Sequence, residues 1–223
     1  MFKILNKSKL LYAFVILAFS FSYTTSHVEA QSSDKPKKQI KYKKARALQT
    51  KTAKKMAKVY EAMEEVDENG ELKPDWETVR EILTELRNDK ENLKSYDRSV
   101  MWNAWAYYYN QKENYELSME SYENLIAEPE VTIPLRVGAL LSLAQINMFQ
   151  GNWQKGIDLI LQWMEEVETV TAQSWSLLGT GYYQVGNFKK SMSSMETAIQ
   201  MAEEEGYKPV SYTHLTLPTN CVV

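Results

Sequence analysis

The sequence predicts an all-α fold of antiparallel helix pairs stacked as a right-handed solenoid, and three observations lead there. Glycine and proline are scarce, 8 and 6 among 223 residues, which favours helices over a turn-rich β architecture. Apolar residues recur at helical rather than alternating spacing through the body of the chain. A three-residue turn signature also returns, as Glu113-Asn114-Tyr115, Gly151-Asn152-Trp153 and Gly186-Asn187-Phe188, at intervals of 38 and then 35 residues.

Residues 1–30 read as a cleavable signal peptide. Lys3, Lys7 and Lys9 give a positive start, residues 10–21 are apolar apart from Ser20, and Val28-Glu29-Ala30 places small residues for cleavage after Ala30. An apolar run of roughly a dozen residues is short of the ~20 needed to span a bilayer. The expectation is an exported, periplasmic protein.

Residues 31–44 are polar and lysine-rich and read as a disordered basic arm. Its candidate contact residues are Lys35, Lys37, Lys38, Lys41, Lys43, Lys44 and Arg46. Residues 31–58 hold 11 Lys and Arg against one acid, whereas residues 59–208 hold 12 against 27, so a basic arm precedes an acidic body. Near an anionic surface each basic residue contributes about 1 kcal/mol, so one reading of the arm is a tether to anionic lipid or cell-wall polymer. The other is a solvated linker or an arm associated with the acidic body. Nucleic acid is not the expected partner of an exported protein, and a dense run of lysines after a signal peptide works against easy export.

Ordered structure is expected over residues 45–98 as a helical hairpin. Ala45, Leu48, Thr52, Met56, Val59, Tyr60 and Met63 share a helical period that should stop at Asp67-Glu68-Asn69-Gly70. A second helix follows Pro74, with Asp75 as N-cap and Val79, Ile82, Leu83 and Leu86 facing inward. Trp76 is its aromatic after the turn, so the hairpin reads as a degenerate first repeat or a cap.

From residue 99 to 208 the turns bring other columns into register. Eleven residues before each turn stand Trp102, Leu140 and Trp175; seven before, Ala106, Ala144 and Gly179; five after, Ser118, Gly156 and Ser191. Small residues on both helices of a pair allow close approach, bulky ones fill the space between pairs, and Tyr115, Trp153 and Phe188 cover the turns. With Trp175, Leu178, Gly179, Tyr182, Gly186, Phe188 and Ala198, the third unit resembles the tetratricopeptide repeat (TPR), whose period is 34 residues. The second unit departs at Asn147, where an aromatic is usual, and at Trp163, where alanine is usual.

A narrower resemblance is carried by the order of signal peptide, basic arm and helix, then residues 95–109 (SYDRSVMWNAWAYYY), Gln162-Trp163 and Met201-Ala202-Glu203. It is similar to periplasmic TPR proteins found beside TonB, ExbB and ExbD, and that similarity implies an accessory role in TonB-dependent transport.

In such a repeat the first helix of each pair lines a concave groove. The resemblance places Asn103, Tyr107, Asn110 and Gln111 there from the first unit, Leu141, Gln145, Met148 and Phe149 from the second, and Gln173, Ser176, Thr180, Tyr183 and Gln184 from the third. This lining has amides and aromatics but no Lys or Arg, so it suits an extended peptide rather than a terminal carboxylate. Packing between repeats is the alternative role for several of these side chains.

Catalysis is not expected, and neither a cofactor nor a metal is implied. The one cysteine, Cys221, and the two histidines, His27 and His214, lie outside residues 31–208, which removes thiol and imidazole chemistry and His/Cys metal sites from the mature body. The acid pairs Glu64-Glu65 and Glu165-Glu166 and the run Glu203-Glu204-Glu205 are expected to face solvent near helix ends rather than to work as a two-carboxylate hydrolase. In the aromatic cluster, Trp102, Trp105 and Tyr109 fall toward one face as core, with sugar or base stacking as the alternative.

Residues 209–223 carry no helical period. Val210-Ser211-Tyr212-Thr213-His214-Leu215-Thr216-Leu217-Pro218-Thr219 reads as the in-frame translation of a common transposase sequencing adapter, so the segment is expected to be non-native and the native sequence to be cut short near Lys208.

Overall fold

In a computed structural model, residues 46–204 and residue 206 are described. The signal peptide, Lys35 to Lys44 of the basic arm, Ala45 and the adapter-like tail lie outside the described residues.

The described chain is an all-α repeat solenoid of four antiparallel helix pairs. They are α1 (Thr50–Met63) with α2 (Trp76–Asn88), α3 (Ser95–Gln111) with α4 (Tyr115–Ala127), α5 (Ile133–Phe149) with α6 (Trp153–Glu166), and α7 (Ala172–Gln184) with α8 (Phe188–Glu204). A single 3-10 turn, Lys90–Asn92, joins α2 to α3. Each helix packs on its mate, the second helix of each pair packs on the first helix of the next (α2 on α3, α4 on α5, α6 on α7), and α3 also touches α5. The core is a chain of apolar clusters, one per junction.

The first pair is built as its sequence suggests. Thr52, Met56, Val59 and Ala62 of α1 bury against Val79, Leu83 and Leu86 of α2. Tyr60 departs from the expected inner face: it is 44% exposed and is not part of the cluster between α1 and α2. The connecting turn closes with an antiparallel bridge between Val66 and Leu72, and the Asp67 carboxylate accepts from the N–H groups of Asn69 and Glu71. Asp75 caps α2: its Oδ1 accepts from the N–H of Glu77 and Thr78, and its Oδ2 from the Thr78 hydroxyl at 2.6 Å. The division between residues 98 and 99 falls inside the first turn of α3, which begins at Ser95.

The three signature turns share one geometry. The first turn residue has positive φ in each case, 57° at Glu113, 84° at Gly151 and 76° at Gly186. Its N–H donates to the carbonyl three residues back, and the N–H of the following asparagine donates to the carbonyl five residues back, at 2.8–2.9 Å. This closing arrangement requires a left-handed residue, which explains glycine at two of the three turns. The asparagine then opens the next helix. Asn114 Oδ1 accepts from the Leu117 N–H and Asn187 Oδ1 from the Lys190 N–H, so one residue ends one helix and caps the next.

The small-residue columns meet face to face. The Ser118 hydroxyl donates to the Ala106 carbonyl at 2.9 Å, and a Cβ on Gly156 would lie 3.2 Å from the Ala144 carbonyl oxygen and 2.4 Å from Met148 Cγ. A Cβ on Gly179 would lie 3.0–3.2 Å from the side chain of Met195 in α8. Both unusual residues of the second unit are accommodated. Trp163 is buried where Leu125 and Ala198 stand in the other units, and buried Asn147 donates its amide to the Leu143 carbonyl of its own helix.

Candidate functional site

Three of the first helices, α3, α5 and α7, carry the residues expected to line a groove, and their exposure follows the repeat register. Counting back from each turn, three columns stay open or half-open: Asn103, Leu141 and Ser176 at ten residues; Tyr107, Gln145 and Thr180 at six; Gln111, Phe149 and Gln184 at two. Spacings of four and eight residues put these positions on one stripe of each helix. That stripe is centred about 100° round the helix from the buried small column, beside the face that packs α3, α5 and α7 on their mates.

The remaining expected groove residues do not form an open column. Asn110 is half-buried and Tyr183 is 60% exposed, whereas Met148 at the equivalent position is buried against Gly156 and Gly181. Met148 therefore belongs to the core, because two glycines leave room there for its thioether. Gln173 is exposed, as is its second-unit counterpart Gly138, whereas the first-unit counterpart Val100 is buried, so this position is open in the last two units only.

Two members of the stripe also pack between pairs: the ring of Tyr107 lies 6.2 Å from that of Trp76, and Phe149 meets Tyr115 edge-on at 5.3 Å. Tyr183, off the stripe, meets Phe188 of its own pair at 5.6 Å. The Thr180 hydroxyl donates to the Ser176 carbonyl of its own helix. Gln145, in the middle unit, is half-buried. Among the described residues, no Lys or Arg lies in the three columns. An open depression at the second turn, lined by Met119, Asn147, Asn152, Trp153, Lys155 and Val185 among others, adjoins the end of the stripe.

The aromatic cluster is structural. Trp105 is buried and stacks on Tyr109 with centroids 5.0 Å apart, while the Arg87 guanidinium lies 4.5 Å from the Trp105 centroid. A ring enclosed this way has no face left for a sugar or base.

Three of the five described cations of the basic segment form ion pairs. Arg46 pairs with Glu130 at 2.6 Å, Lys51 with Asp89 at 3.0 Å and Lys55 with Glu85 at 2.8 Å, so these charges meet the acidic body. The lysine hydrogen bonds and charges hold the Glu85 carboxyl below its usual range. For Asp89, the Asn92 amide acts first and Lys51 second, in the same direction.

One repeated polar feature escaped the sequence reading. Arg98 grips Glu128 with two bonds of 2.7 and 2.9 Å and donates to the Leu93 carbonyl. Thirty-eight residues on, Arg136 grips Glu166 at 2.8 and 3.1 Å and donates to the Ile126 carbonyl. Each pair ties the start of a first helix to the end of its mate. Glu166 is thus an ion-pair partner and not the solvent-facing acid expected, whereas Glu64, Glu65 and Glu165 are exposed. The signal was the common spacing of both arginines from their turns.

No family model matches the chain, and no curated protein matches it. Among solved structures the chain is similar to the crystal structure of BtubC (BKLC) from P. vanneervenii, with 14% identity over 73% of this chain and 78% of that one and a TM-score of 0.49. A likeness of that size carries no argument about function, and the solenoid rests on the helices described above.

Proposed function

We propose that this protein is a non-enzymatic, exported scaffold of the tetratricopeptide type that holds an extended segment of a protein partner along α3, α5 and α7. The observation that carries the reading is the set of three open or half-open columns in register, which offers amides, hydroxyls and aromatic edges and no cation. A segment lying across the helices can meet one such position per repeat, gaining hydrogen bonds and stacking without a charge to anchor its end.

The resemblance to periplasmic proteins encoded beside TonB, ExbB and ExbD supports a place in TonB-dependent transport as the specific form of this proposal. Co-purification from crosslinked periplasm tests it. Recovery of a TonB, ExbB or ExbD component with the parent protein, reduced in a Tyr107→Ala/Gln145→Ala variant, is the expected result. Recovery of none of them removes the TonB version, and undiminished recovery by the variant removes the stripe as the contact.

The tethering alternative draws less support, because Arg46, Lys51 and Lys55 are already paired with carboxylates of the body. Liposome sedimentation distinguishes it: a tether requires salt-sensitive binding to anionic vesicles that is lost when residues 35–58 are neutralised.

A further inference from the structure

One column of the repeat register is broken in the middle unit. Four residues before each signature turn stand Tyr109, Asn147 and Tyr182. In the first and third units a ring fills the space beneath the turn. Tyr109 stacks on Trp105 with centroids 5.0 Å apart and meets Tyr108 edge-on at 5.4 Å. Tyr182 packs against the cluster that holds Ile157 of α6, and the Lys190 ammonium lies 5.2 Å from its ring centroid. In the second unit an amide takes the place of the ring, and it turns back on its own helix to donate to the Leu143 carbonyl at 2.8 Å.

The open depression at the second turn lies where that ring is missing. Buried Asn147 lines it together with Met119 of α4, Trp153 and Lys155 of α6, and Val185 at the end of α7. Three of these have counterparts beside Tyr182: Met119 stands in register with Ile157, Trp153 with Phe188, and Lys155 with Lys190. The third turn therefore shows, within the same chain, what such a recess accepts. It is a phenol ring with apolar walls and a lysine ammonium over its face.

We propose that the depression binds one aromatic side chain of a protein partner, which inserts over Asn147 and supplies the ring that the middle unit omits. The ring packs between Met119 and Trp153 and lies under Lys155 as Tyr182 lies under Lys190, so stacking and a cation–π contact add to the apolar burial. Lys155 is held near the recess by an exposed pair with Glu123 at 2.7 Å, a contact weak enough for its ammonium to shift toward a ring. Because the depression is open rather than enclosed, it suits a ring presented on a chain; a free small molecule would leave much of its surface in water. The site is distinct from the stripe, since the position of Asn147 lies about 160° round α5 from the centre of the stripe. It stands or falls independently of the groove.

Nuclear magnetic resonance of the full chain is the test, reading the Trp153 indole N–H against short peptides of Gly, Ser and Thr, blocked at both ends, with one central Tyr, Phe, Leu or Ala. The Tyr and Phe peptides are expected to shift that signal with a Kd on the order of a millimolar, and the Leu and Ala peptides to bind at least about tenfold more weakly. Lys155→Met should weaken the Tyr peptide roughly threefold. Asn147→Tyr supplies the ring from the chain itself, so it should abolish the response to the Tyr peptide while keeping the denaturation midpoint at or above the parent's. An equal response to every peptide, no response to any, parent-like binding by Asn147→Tyr, or a clear loss of stability in that variant would each overturn the proposal. So would free tyrosine binding more tightly than the Tyr peptide, which is the mark of a small-molecule site.

Discussion

The hydroxyl of Ser118 donates to the carbonyl of Ala106 across the α3–α4 contact, at 2.9 Å and out of reach of water. The same two register positions hold Gly156 with Ala144 and Ser191 with Gly179, all buried. Close approach of the two helices in each pair is thus what the small columns secure. Ser118→Ala should cost about 1 kcal/mol through the lost hydrogen bond, and Ser118→Leu about 3 kcal/mol through overpacking. Urea unfolding monitored by circular dichroism reads both.

The glycines in these columns should differ in their tolerance of a methyl group. Gly156→Ala forces a Cβ into Met148 Cγ and against the Ala144 carbonyl, so the clash should outweigh the better helix propensity and leave a loss of about 1 kcal/mol. At Gly179 the neighbour is the flexible end of Met195, and Gly179→Ala should stay within about 0.5 kcal/mol of the parent. Equal losses at both sites would contradict the contact geometry.

Glu113 adopts φ 57°, a conformation that the equivalent turns assign to glycine. A left-handed non-glycine residue costs about 1–2 kcal/mol, partly offset by the greater freedom of glycine in the unfolded chain. Glu113→Gly should therefore raise stability by about 0.5–1 kcal/mol, visible as a higher denaturation midpoint.

The two arginine clamps should differ in strength. Glu128 has a side chain only 10% exposed, against 28% for Glu166, which also accepts from Gln162. Arg98→Ala leaves the more buried carboxylate unpaired and should cost about 2–3 kcal/mol, whereas Arg136→Ala should cost about 1 kcal/mol because solvent screens the remaining charge. Denaturant melts of the two variants and of Arg98→Ala/Glu128→Gln would separate the pair from the orphaned charge.

Acid should loosen the first helix pair. The Thr78 hydroxyl and N–H lower the pKa of Asp75, the Lys55 bond lowers that of Glu85, and Asn92 and then Lys51 lower that of Asp89. Carboxyls with depressed folded values contribute stability above the ordinary carboxylate range and lose it as the pH falls through their folded values. Hydrogen exchange should show α1 and α2 losing protection below about pH 4 while α5 and α6 remain protected. High salt should weaken the lysine part of the effect.

The register was legible because its causes are local or steric. A left-handed turn residue, an asparagine that caps, and a small residue where helices cross each restrict one position to a few residue types, and so recur visibly. The clamps were less legible. Arg98 and Glu128 stand 30 residues apart, and among many charged side chains nothing local marks that pair for contact. Met148 shows the same limit: its column reads as open in α3 and α7, and burial follows only from the space left by Gly156 and Gly181. Tyr60 shared the apolar period of α1, but periodicity cannot tell the edge of a stripe from its centre.

Site-specific photocrosslinking in the source cell tests the central claim most directly, with the reactive group placed in turn at Gln145 on the stripe and at Glu120 on the outer face of α4. The account predicts a discrete adduct to a TonB, ExbB or ExbD component from position 145 and none from position 120. Equal labelling from both positions, or adducts from position 120 alone, would contradict it.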